Sequence, residues 1–188
     1  MRLRRVGAGV LALAFVTAPA IALRPPSAGA HQPADGRAAA HATAAKTPAQ
    51  RAKHSELWAT VDLCNTAKHP NTIGIRGSMP GDGHRRDTMY MRFVVQNYDT
   101  GAQKWQNIGL SADSGFVLVG SAASTRQAGH SFTFKPTVTT FTLRGLVEFQ
   151  WHHAGRTVRS LTLPTTAGHR SLAGDEPKGF SAASCVLP

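Results

Sequence analysis

Among the residues able to hold a ligand, the first is the run His84-Arg85-Arg86, set between Gly83 and Asp87 in a stretch rich in Gly and Pro. Adjacent guanidinium groups present fixed forks of N–H donors that match phosphate or carboxylate oxygens. A second basic pair, His169-Arg170, lies in the turn-rich segment AGHRSLAGDEPKG. These five residues are expected to bind. The chain has nine histidines, yet few are placed to act together. His31, His41 and His54 fall in a low-complexity stretch ahead of the candidate domain. His152 and His153 are neighbours on an expected strand, where successive side chains point to opposite faces, so the two cannot share one ion without a bulge. His69, His84 and His169 fall in loops, and would line a site if those loops gathered at one end. No metal or other cofactor is expected.

Motifs for covalent chemistry are missing. Gly129-His130-Ser131-Phe132-Thr133 starts like a nucleophile elbow but ends in Thr where the turn needs Gly. Gly81-Asp82-Gly83 starts like a dinucleotide fingerprint, but Arg86 stands where the third Gly belongs. A tight turn explains that composition. Carboxylates are scattered from Asp62 to Glu176, and a glycosidase would need two of them facing each other across a cleft. Trp58, Tyr98 and Trp105 are candidate rings for stacking on a sugar, with core packing as their other use. No catalytic residue is assigned.

The two cysteines, Cys64 and Cys185, leave no thiol over. In an oxidising compartment that count means one bridge. The N-terminus supplies the compartment. Arg2, Arg4 and Arg5 precede the apolar run Val6 to Leu23, and Ala28-Gly29-Ala30 offers a small-x-small cleavage site. Residues 1–30 therefore read as a secretory signal and the protein as secreted. If the signal stayed uncleaved, Val6 to Leu23 would instead anchor an ectodomain in the membrane. Residues 31–56 are Ala, Pro, Thr, Lys and His with hardly a large apolar side chain. Such a segment cannot offset its ordering entropy and is expected to be a disordered spacer.

The formal charge of +11 is misleading for the remainder. Of the 21 basic residues, Arg2, Arg4, Arg5, Arg24, Arg37, Lys46, Arg51 and Lys53 all precede residue 57. The rest of the chain is only mildly basic, which speaks for solubility and not for nucleic acid.

From Leu57 the texture changes to short alternating runs divided by turn residues. In Thr88 to Asn97 the residues Met89, Met91, Phe93 and Val95 share one face. In Thr142 to His152 the face is Leu143, Val147, Phe149 and Trp151, with Arg144, Glu148, Gln150 and His152 opposite. Period two with aromatic and β-branched residues marks half-buried strands. Ala154-Gly155 then reads as the link of a hairpin returning through Arg156 to Leu163. Further strands are expected at Leu57–Asn65, Thr72–Ser78, Phe116–Gly120, Ser131–Lys135 and Phe180–Leu187. No sustained helical period follows Leu57. The fold class is all-β: an antiparallel β-sandwich of 7–9 strands over residues 57–188.

That strand texture, and the hairpin LRGLVEFQWHHAGRTVRSLTL above all, resembles the immunoglobulin-like and fibronectin-III-like modules of secreted bacterial proteins. The chain departs from antibody-type domains in its cysteines. They lie at the two ends of the domain, and Ala183 stands where a Tyr would precede the second. The resemblance implies an Ig-like architecture and a bias toward binding or adhesion, with no particular ligand. The expected function is a secreted, non-enzymatic binding or structural module. Its expected partner is an anionic cell-envelope polymer or another extracellular protein. A small secreted hydrolase and a membrane-anchored ectodomain stay open as alternatives.

Overall fold

A computed structural model describes residues 56–169 and 172–188. The expected signal and spacer lie outside the described residues except for Glu56, and so does Arg170. The described residues form β1 (Trp58–Cys64), β2 (Thr72–Met79), β3 (Thr88–Asp99), β4 (Lys104–Asn107), β5 (Asp113–Ser121), β6 (Arg126–Thr133), β7 (Phe141–His153), β8 (Arg156–Pro164) and β9 (Cys185–Leu187). Among the described residues the helical content is one short 3-10 turn, Leu110–Ala112.

The strands make two sheets in which every ladder is antiparallel. One has the order β1-β2-β6, the other β4-β3-β7-β8. In the larger sheet β5 shares the outer edge of β3 with β4, and β9 shares the far edge of β7 with β8. The all-β expectation therefore holds, in an arrangement compatible with a sandwich.

Alternation explains the core. Met89, Met91, Phe93 and Val95 of β3 are buried, as are Leu143, Val147, Phe149 and Trp151 of β7. They meet Ala59, Val61, Ile73 and Ile75 from β1 and β2 in one cluster. Each large side chain so buried contributes about 1.5–3 kcal/mol. The sheets approach closely at Gly145, where a Cβ atom would stand 2.7 Å from Cγ2 of Ile75. Only the missing side chain lets that isoleucine in.

The β7–β8 link is Ala154-Gly155, with φ of 47° and 75°. Positive values at both positions match a two-residue hairpin turn whose twist follows that of the strands.

Two expectations need adjustment. β6 starts at Arg126, five residues before the expected Ser131, because its first half is a mostly polar edge strand without apolar alternation. The expected last strand narrows to Cys185–Leu187, with Ala182 making only an isolated bridge to Val61. β4 was not foreseen, since KWQN is four polar or half-exposed residues on an edge.

Cys64 and Cys185 are bonded, joining the end of β1 to the start of β9 and so one sheet to the other. Between β8 and β9 the described residues run as a strap along the free edge of β1. Thr166 N–H donates to the Ala59 carbonyl, Glu176 N–H to that of Asp62, and Val61 exchanges two hydrogen bonds with Ala182.

Candidate functional site

The β2–β3 turn carries His84, Arg85 and Arg86, all exposed. The turn is tied at several points. Trp151 Nε1–H donates to the Pro80 carbonyl at 2.9 Å, Gly83 N–H to the Ala122 carbonyl at 3.0 Å, and Ser121 Oγ to the Arg85 carbonyl at 2.9 Å. Neither Arg85 nor Arg86 forms an ion pair among the described residues. Both guanidinium groups face solvent from a fixed backbone.

Beside them the turn holds Asp82 and Asp87, and the fold adds His153 from the far end of β7. Asp82 Oδ1 accepts the His84 N–H at 2.8 Å and lies 3.3 Å from His84 Nδ1. Asp87 is buried, and its Oδ1 is 2.6 Å from Nδ1 of His153, at the end of β7. That hydrogen bond holds the Asp87 carboxyl below its ordinary range. His152, as its strand neighbour, turns the other way, onto the Tyr90 ring at 4.5 Å.

His169 stands apart from this cluster. Its ring stacks on Trp58 at 4.6 Å, and its Nε2 is 2.9 Å from Thr166 Oγ1. Burial pushes its pKa below the ordinary histidine value. His69 pairs with Glu176 at 3.5 Å, at the β1–β2 turn. The three loop histidines thus take separate partners and line no common site.

A cleft of about 700 Å³ opens at the end of the domain away from the β2–β3 turn. Its walls come from the end of β3, from β4, from the β6–β7 connection and from the C-terminus. Amides of Asn97, Gln106 and Asn107 line it beside the rings of Phe134 and Phe141. Asn97 continues the inward-facing row of β3. Its Oδ1 is buried and meets no hydrogen-bond donor among the described residues. Such an oxygen costs about 1–3 kcal/mol of lost hydration unless a donor reaches it. Asp99 is the one side-chain carboxylate among the lining residues. Just outside, Trp105 packs against Tyr98 at 5.2 Å and lies under the Arg144 guanidinium at 4.4 Å.

Asn97 belongs to no sequence motif, although its position is readable. It has the same parity as Met89, Met91, Phe93 and Val95, so it belongs on the inner face. Asp82 and Asp87 flank His84 in the sequence, while His153 left no local signal, because the turn and the hairpin meet only in the folded sheet. Compared with models of protein families, with curated proteins and with solved structures, the chain matches none.

Proposed function

We propose that the protein is an exported binding module whose ligand enters the cleft beside Asn97. The observation that carries this reading is the cleft lined by the amides of Asn97, Gln106 and Asn107 and by aromatic rings, with the Asn97 Oδ1 left unsatisfied behind its wall. A hydroxyl- or amide-bearing ligand would pair with those amides and lay an apolar face on Phe134 or Phe141. A glycan strand of the cell envelope has that chemistry. With Lys135 and Asp99 both in the lining, the cleft itself favours no charged ligand. A glycosidase would need a second carboxylate facing Asp99, so binding without hydrolysis is the better reading.

The strand order supports an Ig-like sandwich as its frame. The first, second and sixth strands make one sheet, and the third, seventh and eighth run side by side in the other. The disulfide and the signal-like N-terminus support export. No helix among the described residues is long and apolar enough to cross a membrane.

The test is retention of the exported chain on isolated bacterial cell envelope and on immobilised chitin oligomers in 0.5 M salt (roughly, enough to screen surface charge). Asn97→Leu, of similar size and lacking the unsatisfied oxygen, should fold at least as stably and lose retention. Equal retention of Asn97→Leu would remove the cleft from the account.

A further inference from the structure

We propose that Asp82, His84 and Asp87 form a site for a first-row divalent cation, zinc by preference, at the β2–β3 turn. One ligand atom from each of the three lies within 4.8 Å of the other two. The 3.3 Å between Asp82 Oδ1 and His84 Nδ1 is close to the separation of about 3.4 Å expected for two donors bound at tetrahedral angles, each about 2.1 Å from zinc.

Three further features fit a cation. Two carboxylates share a small space, one of them with a side chain only 7% exposed, and their joint negative charge draws a cation. The partner of Asp87 is His153, from the far end of β7, at 2.6 Å. An imidazole on one oxygen of a ligating carboxylate fixes the direction of the other, as outer-sphere partners of metal ligands do. The turn is also anchored before any ion arrives, through Trp151 to Pro80, Gly83 to Ala122, and Ala122 N–H to the Asp87 carbonyl. The donors are therefore held largely in place by the sheet.

The donor types select the ion. Calcium and magnesium take oxygen ligands. A nitrogen beside two carboxylates suits zinc and its neighbours. The His84 side chain is 74% exposed, so the ion would keep solvent-facing positions open to a further ligand. Arg85 and Arg86, adjacent in sequence, would favour an anionic one.

The test is equilibrium dialysis of the EDTA-treated full chain against zinc chloride, with metal content as the readout. His31, His41 and His54 are replaced by Ala throughout so that the N-terminal segment does not contribute. One equivalent of zinc is expected, bound at least about tenfold more weakly after Asp82→Asn or His84→Ala. Zinc should also raise the thermal midpoint of the parent protein and not that of either variant. Metal-free midpoints equal to that of the parent would show that the two exposed substitutions leave the fold intact. Absence of zinc binding, or binding that both substitutions leave unchanged, would mean an internal ion-pair cluster only and would overturn the proposal. So would displacement of zinc by equimolar calcium.

Discussion

Arg76 Nε donates to Asp62 Oδ2 at 2.6 Å on the outer face of the β1-β2-β6 sheet, with both side chains mostly shielded from solvent. Gly174 of the strap and Gly129 of β6 both lie against the same guanidinium, where a Cβ atom on either would stand 3.2 Å from its Nη2. Breaking such a pair leaves one charge buried without a partner. Asp62→Ala is expected to cost about 3 kcal/mol, read as a lower urea midpoint at unchanged slope. Asp62→Leu with Arg76→Met should recover most of that loss. A double variant no better than Asp62→Ala would show that the pair itself is not what the strap requires.

Acid should act through Asp113 and Asp87. The bidentate Arg92 guanidinium, with Nε at 2.9 Å from Oδ1, holds the Asp113 carboxyl below its ordinary value, and His153 does the same for Asp87. A carboxylate whose folded pKa is depressed gives stability that is present above its unfolded value, near 3.8, and lost as pH falls through the folded value. Asp62 has the opposite sign. Burial raises its pKa despite Arg76, so protonation in the same range relieves a cost. Stability is expected to fall below about pH 4, and Asp113→Asn should flatten that fall. A profile unchanged by Asp113→Asn would place the acid sensitivity elsewhere.

The Trp58–His169 stack should open in mild acid. The folded-state pKa of His169 is lowered by burial, so the neutral ring is the one that fits against Trp58. The stability from this contact is present above the unfolded value, near 6.5, and falls as pH drops below it toward the folded value. Tryptophan emission of the native protein should change in that window, and His169→Phe should abolish the change. Persistence in the phenylalanine variant would assign the signal to another ring.

Reducing the Cys64–Cys185 bond frees a closed loop with a sequence separation of 121. The chain-entropy model puts the loss at up to about 5 kcal/mol. Denaturant melts with and without reductant measure it, and the Cys64→Ala, Cys185→Ala double variant should match the reduced protein. Alkylation of both cysteines in native, unreduced protein would rule the bridge out.

Ala154 sits at φ 47° in the β7–β8 link, a conformation that costs a side-chain-bearing residue about 1–2 kcal/mol and that Asn tolerates better. Ala154→Asn is expected to stabilise the domain by about 0.5–1 kcal/mol. The check is the thermal midpoint, and a lower one would contradict the assigned turn.

What the sequence made legible follows from where apolar side chains alternate. β3 and β7 each bury one full face, so Met89 to Val95 and Leu143 to Trp151 read directly as strands. The hairpin at Ala154-Gly155 and the Cys64–Cys185 pair followed from turn chemistry and from parity. Edge strands were harder, because β4 and the first half of β6 bury little and carry almost no apolar pattern. The basic turn reads from the sequence through His84, Arg85 and Arg86, with Asp82 and Asp87 legible only as turn and flanking residues. Asp87 and His153 are far apart in the chain, and only the antiparallel register of β3 with β7 sets them side by side.

An unpaired strand edge is a template on which a second molecule can add its own strand. Along β1 that template is occupied, since Ala59, Val61 and Asp62 already spend their outward backbone groups on Thr166, Ala182 and Glu176. The strap is fastened just beyond Ala182 by Cys185, so the bond between two sulfurs is also a guard against self-assembly. A molecule whose thiols stay reduced carries a loosely covered edge, and strand-by-strand polymerisation is the failure to look for in protein that misses oxidation.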